Sequence, residues 1–444
     1  MIGVAGCHGL LDVTDPTWVQ DKDIANANGA NGKRVMAAWN VSQQLQGTYQ
    51  DVGLFTDEQT WDLDSPPNPP YRNYYLDLDR RDGTAMVQYF SGQYHQRDDH
   101  LDNLDQMLSL FTGAIATMRS YGADSLKGEY LAQLFGLRAY LVLQIAEDIC
   151  PGFPINDISA ENLAVYSQPY STDSAITEAL AQADSALADG RDTTRFLNLA
   201  RVVKGRALLD LGRWSEAGAA VTSVPTNFAY TTDPDNTNNY FLRWSPNGCC
   251  GGVGEREGGN GLPFVSAQDP RVPTTVLWPR QTDATDTLYD QTKYDGQTPL
   301  TLASGIEARL IQAEVALHTG DPGWIAILDS LRTTCTDATT CPSPPAGTGG
   351  VAGLAPLSAP SDAQAQLDLV FRERAFWLFF TGHRVGDMRR LIKNYDRAVS
   401  SVYAAGPYPI LNMQYGTATA IGIPIDYIRR THPNFTGCVA DEPR

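Results

Sequence analysis

Apolar residues recur at helical spacing along much of this chain. Leu101, Leu104, Met107, Leu108 and Phe111 share one face at steps of three and four, which predicts an amphipathic helix. Ile176, Leu180, Ala183 and Leu187 repeat the pattern, with Gly190 placed to end the helix. Ser361 and Gln364 have the spacing of a capping box ahead of Leu367, Val370, Phe371 and Trp377. Further helices are expected near 33–46, 128–148, 196–211, 302–319 and 385–394. Strand patterns are few and short, Thr274–Leu277 being one. Three long Pro- and Gly-rich stretches separate the helices: 62–75, 224–300 with Cys249-Cys250-Gly251-Gly252 at its centre, and 336–360. Loops of this length in a compact protein are usually functional.

A faint repeat runs through the helices. Ala207-Leu208-Leu209-Asp210-Leu211-Gly212-Arg213-Trp214 leads to Ala217, and Val315-Ala316-Leu317-His318-Thr319-Gly320 leads to Trp324 and Ala326. A helix, a glycine turn, an aromatic residue and an alanine on the next helix is the logic of tetratricopeptide pairs. The expected architecture is therefore mostly α: tetratricopeptide-like helix pairs in an α-solenoid-like body, with long irregular loops and few short strands.

Composition narrows the function. With 33 basic and 51 acidic residues among 444, the formal charge is −18, which disfavours a nucleic-acid backbone or a polybasic membrane contact. No apolar run approaches the roughly 20 residues of a spanning helix. Even Tyr130 to Ile149 is interrupted by Gln133, Arg138, Gln144, Glu147 and Asp148.

Catalytic signatures are missing: there is no G-x-S-x-G elbow, no H-E-x-x-H and no Walker loop. Asp77 to Gly83 superficially has the look of a calcium loop, but its glycine comes one residue late and Gln88 stands where the bidentate Glu belongs. The six histidines assemble no metal ligand set, and neither metal nor cofactor is expected. Loop aromatics are more informative. Sugar rings stack their C–H faces on Trp and Tyr, while Arg and Asn fork hydrogen bonds to neighbouring hydroxyls. Trp61, Tyr71, Arg72, Tyr74 and Tyr75 supply that mixture around one Pro-stiffened loop, and Trp244 and Trp278 are candidates for an opposing wall.

Seven cysteines stand at 7, 150, 249, 250, 335, 341 and 438. Val4-Ala5-Gly6-Cys7 resembles a lipobox, which makes Cys7 the candidate lipid anchor and residues 1–7 its remnant signal, ahead of a single domain over 8–444. The remaining six are an even number suited to disulfides. A bridge between Cys335 and Cys341 across their short loop is expected, whereas the pairing of Cys150, Cys249, Cys250 and Cys438 stays open.

Arg372-Glu373-Arg374, Gly382-His383-Arg384 and Asp387-Met388-Arg389-Arg390 resemble the C-terminal helix signature of the SusD/RagB family of surface lipoproteins. Other landmarks follow in the family's order: Leu11 to Pro16, Asp57-Glu58, Arg138-Ala139-Tyr140, Pro151 to Pro154, Asp269-Pro270-Arg271, Ala313-Glu314, Ile423-Pro424 and Pro433-Asn434. Trp377 and Thr381 depart from it, occupying positions where the family usually has Glu. The resemblance implies a non-catalytic, lipid-anchored outer-membrane protein. It would capture oligosaccharide or peptide and pass it to a SusC-like TonB-dependent transporter. Glu373, Arg374, Arg384 and Asp387 are expected to form a structural ion network on one side of the helix. A tetratricopeptide-type peptide-binding surface protein and a secreted glycosidase are the alternatives.

Overall fold

The computed structural model describes residues 21–61, 75–81, 100–152, 154–158, 164–190, 194–233, 251–279, 287–335, 354–408, 413–416 and 421–423. Cys7, Tyr71, Arg72, Tyr74, Trp244, Cys249, Cys250, Cys341 and Cys438 lie outside them.

The helices carry the architecture. α1 (Ala27–Phe55), α2 (His100–Tyr121), α3 (Lys127–Asp148), α4 (Thr172–Asp189), α5 (Thr194–Asp210) and α6 (Trp214–Val221) each pack on the next or next but one. α7 (Gly305–His318) and α8 (Trp324–Thr334) form a further pair, α9 (Ala363–Trp377) leans on α7, and α10 (Arg384–Lys393) docks against α1 and α3. Side-chain caps set several starts: Asn26 accepts from the Gly29 amide, Ser171 from Ser174, and Ser304 from Glu307. α9 is capped by Asp362, whose carboxylate accepts from the Ala365 amide at 2.8 Å, and not by Ser361. α1 runs well beyond the expected 33–46.

The two repeat turns close in the same way. Gly212 (φ +69°) and Gly320 (φ +75°) sit just past α5 and α7 in the left-handed region. The Arg213 amide reaches back to the Leu208 carbonyl at 2.8 Å, and the Asp321 amide to Ala316 at 2.8 Å. Both are Schellman turns, and only glycine takes that backbone without strain. Trp214 then stacks on His318 with ring centroids 3.8 Å apart, joining one hairpin to the other.

The described parts of 224–300 hold short strands that their composition does not suggest. Four antiparallel ribbons pair β1 (Gln59–Trp61) with β5 (Gly251–Val253), β2 (Pro154–Ile158) with β3 (Ala164–Pro169), β4 (Ala229–Thr231) with β8 (Thr301–Ser304), and β6 (Thr274–Pro279) with β7 (Thr287–Gln291). Trp278 stands on β6 opposite Leu288. The main core runs from Leu45, Tyr49 and Phe55 of α1 through Tyr140 of α3 to Phe264, Phe376 and Phe379. A second cluster around Leu310, Trp324, Leu328, Val370 and Trp377 knits α7, α8 and α9.

Candidate functional site

The aromatic segment is bound to the body at both ends. Trp61 closes β1, and Tyr75 opens a helical turn over 75–79. Their rings stack with centroids 4.7 Å apart at an interplanar angle of 28°. Each is 2% exposed, so neither offers a face to a sugar, contrary to the expectation for these two residues. They act as a clasp, bringing the ends of the 62–74 segment together, because burying two large rings against each other is worth more than leaving them in water. Asp79 reinforces the clasp by accepting from the Trp61 amide at 2.8 Å and from the Tyr408 hydroxyl. β1 is fixed in turn by its pairing with β5, where Gly252 lies so close to Leu288 that a Cβ would meet its side chain at 2.8 Å.

The helices enclose a buried charge network. Arg374 donates Nε and Nη2 to the two oxygens of Asp387 at 2.9 and 2.8 Å. Arg390 donates to Asp387 at 2.7 Å, to both oxygens of Glu314 at 3.1 Å and to Asp210 at 2.9 Å. Arg384 leaves this group and forks onto Asp57 at 2.7 and 2.9 Å. Glu373 leaves it too, meeting Arg271 at 2.7 Å and Arg332 at 2.8 Å, with Asp269 gripping the other edge of Arg271. The four expected residues are thus all buried and paired, but in separate clusters. Burial works against ionisation of Asp387, yet Arg374 and Arg390 outweigh it and hold its carboxyl well below the usual range. Asp210, buried beside Glu147, is pushed well above that range although Arg390 opposes the shift.

Trp377 and Thr381 make contacts of their own. Trp377 stacks under the Arg271 guanidinium at 5.0 Å, and the Thr381 hydroxyl lies 2.8 Å from Nδ1 of His383. His383 Nε2 faces Glu307 at 3.2 Å. Burial and the nearby Arg206 pull the His383 pKa down, favouring the neutral ring. Arg389 satisfies the end of α3 by donating to the Ala146, Glu147 and Ile149 carbonyls at 2.9, 2.7 and 3.3 Å.

A second buried pair flanks one strained turn. Glu58 accepts from the Phe380 amide at 3.1 Å, and Lys293 donates to the Phe379 carbonyl at 2.7 Å. Phe380 has φ +53°, a left-handed value that bulky residues rarely adopt. Burial pushes the Glu58 carboxyl up to about 8 and the Lys293 ammonium down to about 7.

Several of these residues carried no recognised signal. Arg206, Glu307 and Lys293 were not singled out, and Glu147 and Asp210 were named without a charge role, although Gln144, Glu147 and Asp148 break an otherwise apolar helix and are all buried. Charge inside an apolar face is the signal that marks such groups. Cys150 and Cys335 are each disulfide-bonded. Among the described residues no helix is long and apolar enough to cross a membrane, and no cluster of His, Cys, Asp and Glu is arranged to hold a metal.

No protein-family model matches the sequence, and no curated protein matches it. Solved structures do match. Bacteroides fragilis NanU superposes with a TM-score of 0.63 over 95% of this chain and 98% of its own, at 12% identity. A SusD-like carbohydrate binding protein from Bacteroides vulgatus gives 0.53 over 82% and 83% at 13% identity. A laminarin binding SusD-like protein gives 0.56 over 84% and 92% at 12% identity. Buried helix pairs, ribbon-tied loops and near-complete coverage agree: this chain has the mostly α fold of the SusD-like proteins.

Proposed function

We propose that this protein is a non-catalytic cell-surface capture protein for oligosaccharides, handing its cargo to a SusC-like TonB-dependent transporter in the outer membrane. The observation that carries the reading is the shared fold, aligned along 95% of this chain with NanU and along 84% with a structure named for laminarin binding. The local chemistry supports it. The stacked Trp61 and Tyr75 flank, in sequence, a 62–74 stretch containing Tyr71, Arg72 and Tyr74, residue types that stack on and hydrogen-bond to sugars. Trp244 and Trp278 remain candidates for the opposing wall, and Cys7 for the lipid anchor. The Glu373, Arg374, Arg384 and Asp387 clusters serve stability rather than ligand contact, and a Cys335–Cys341 bridge is part of the same proposal.

The test is a titration of the purified chain against neutral and acidic oligosaccharides, with reducing ends assayed in parallel. Binding in the micromolar to millimolar range, about −8 to −4 kcal/mol, is expected of a protein that must release its cargo. Tyr71→Ala and Tyr74→Ala should each weaken it by about tenfold, the loss of one stacking contact of roughly 1.4 kcal/mol. Release of reducing ends would assign a glycosidase instead, and peptide binding without glycan binding would assign a peptide receptor. Anchoring is tested separately: with a signal peptide supplied, Cys7→Ser should move the protein from the membrane fraction to the soluble one. Equal membrane retention of that variant would refute the anchor.

A further inference from the structure

Among the described residues, six large apolar side chains are exposed, and five of them gather at one end of the helical body. Val35, Met36 and Trp39 lie on the first half of α1, and Tyr121 and Leu126 flank the turn from α2 to α3. Arg34 joins the two places. Its guanidinium donates to Gln133 Oε1 and covers the Tyr130 ring at 4.1 Å, and the Tyr130 amide donates to the Leu126 carbonyl at 2.9 Å. The remaining exposed residue, Val276, belongs to β6.

α1 is apolar on two faces. Ala30, Ala37, Val41 and Leu45 are buried against the body, while Val35, Met36 and Trp39 are 49%, 49% and 44% exposed. A surface helix ordinarily turns polar groups to water, as α4 does with Asp173, Ser174, Thr177 and Asp184. Charge also separates this end from the rest of the chain. Ala27 to Gln50 carries Lys33 and Arg34 and no acidic residue, in a protein of net charge −18. At the adjoining turn Arg119 and Lys127 balance Asp124 and Glu129, with Lys127 3.3 Å from Asp124. At about 250 Å² or less per side chain, five residues under half exposed offer no more than about 600 Å². That falls short of the roughly 800 Å² per partner of a stable protein interface, yet it is a large patch to leave in water.

We infer that this end of the molecule rests on a lipid surface, with Met36 and Trp39 of α1 inserted among the headgroups. The membrane location rests on the capture reading, whereas the affinity of this face for lipid does not. Tryptophan favours the bilayer–water boundary because its ring is apolar and its N–H is polar. A net charge of −18 keeps most of the surface off an anionic bilayer, so the face that meets it has to be locally free of acid. The tether permits the contact: Cys7, the proposed anchor, stands 20 residues before Ala27, at most about 70 Å of extended chain. An acyl chain and an apolar face then act together, since stable attachment to a membrane takes two signals.

The test uses the full chain as Cys7→Ser, which carries no acyl group, with vesicles of equal parts phosphatidylcholine and phosphatidylglycerol. The protein should float with the vesicles, and adding Met36→Ser/Trp39→Ser should weaken that binding by about tenfold or more, the loss of two apolar contacts. Val276→Ser, an exposed apolar residue of β6, should leave it unchanged, and all three proteins should melt together. Bromine-labelled lipid should quench the tryptophan fluorescence of the parent, and Trp39→Phe should remove most of that quenching while keeping vesicle binding. A parent that ignores the vesicles, a double variant that binds like the parent, an equal loss in Val276→Ser, or quenching that survives Trp39→Phe would each overturn the inference. A parent that ignores vesicles but dimerises through Met36 and Trp39 would give the face to a second copy of the chain and overturn it too. Oligosaccharide titration of the double variant should match wild type. Vesicle binding without oligosaccharide binding in the wild type would remove the capture reading and leave the lipid-facing surface standing.

Discussion

Asp387→Ala is expected to lower the melting temperature by roughly 3–5 °C, corresponding to about 3–5 kcal/mol for orphaning buried charge in a chain of this length. Asp387 is 2% exposed and takes both arms of the Arg374 fork as well as one donor from Arg390. Without it, Arg374 retains only Glu314 at 3.5 Å, while Glu314 is already shared with Arg390. The exposed pair Lys204–Asp184 is the control: at the surface, screening and side-chain entropy leave about 0–1 kcal/mol, so Lys204→Ala should scarcely shift the transition. The pH dependence has a definite sign. The folded pKa of Asp387 lies below its unfolded value, so its stabilisation is present above about pH 4 and fades as the pH falls further. The variant should therefore lose most at neutral pH and less below pH 4. Equal losses in the Asp387 and Lys204 variants would show that the network contributes nothing beyond a surface pair.

What could be read from the sequence follows from how far apart the interacting residues stand. Helices announce themselves within a few turns, so the spacing of Ile176, Leu180 and Ala183 and the glycines at 212 and 320 located α4 and both hairpins. Ribbon β1–β5 joins segments of three residues each, separated by about 190 positions, and one of them is Gly251-Gly252-Val253. Nothing periodic survives at that length, and glycine disfavours strands on its own. The charged landmarks show the same division. Asp57, Asp269, Arg271, Glu314 and Arg384 were each conspicuous, but Arg384 meets its partner 327 positions away and Arg271 meets Glu373 across 102. Local reading placed Glu373, Arg374, Arg384 and Asp387 together because they share a short stretch; only Arg374 and Asp387 pair directly. Trp61 and Tyr75 were misread for a related reason. Aromatics flanking a proline-rich loop look exposed until the loop closes and brings its two ends face to face.

Replacing Glu58 and Lys293 together, as Glu58→Gln/Lys293→Met, is expected to stabilise the protein near neutral pH by about 1–4 kcal/mol, since both groups are buried where their charged forms are disfavoured and neutral side chains avoid that cost. Glu58 is held at about 8 against an ordinary carboxylate near 4.5, so the folded state binds its proton more tightly than the unfolded state. Its contribution is complete below about pH 4.5 and is lost as the pH rises towards 8. Lys293 is held at about 7 against 10.5, so the folded state releases its proton early, and stability recovers as the pH climbs from about 7 to 10.5. The two slopes meet near neutrality, where the wild type carries its largest penalty from this pair. Arg384, Asp57 and Arg271 also act on these groups, but each is already held in its own fork. Gln at 58 can still accept from the Phe380 amide. Met at 293 gives up the bond to the Phe379 carbonyl, a loss of about 1 kcal/mol that lowers the net gain. Urea unfolding at pH 5, 7.5 and 10 separates the outcomes. The wild type should dip at 7.5 relative to both extremes, and the double variant should follow a flatter course and exceed it most at that pH. Parallel profiles for the two proteins would mean that neither group titrates between pH 5 and 10, and that burial does not shift them.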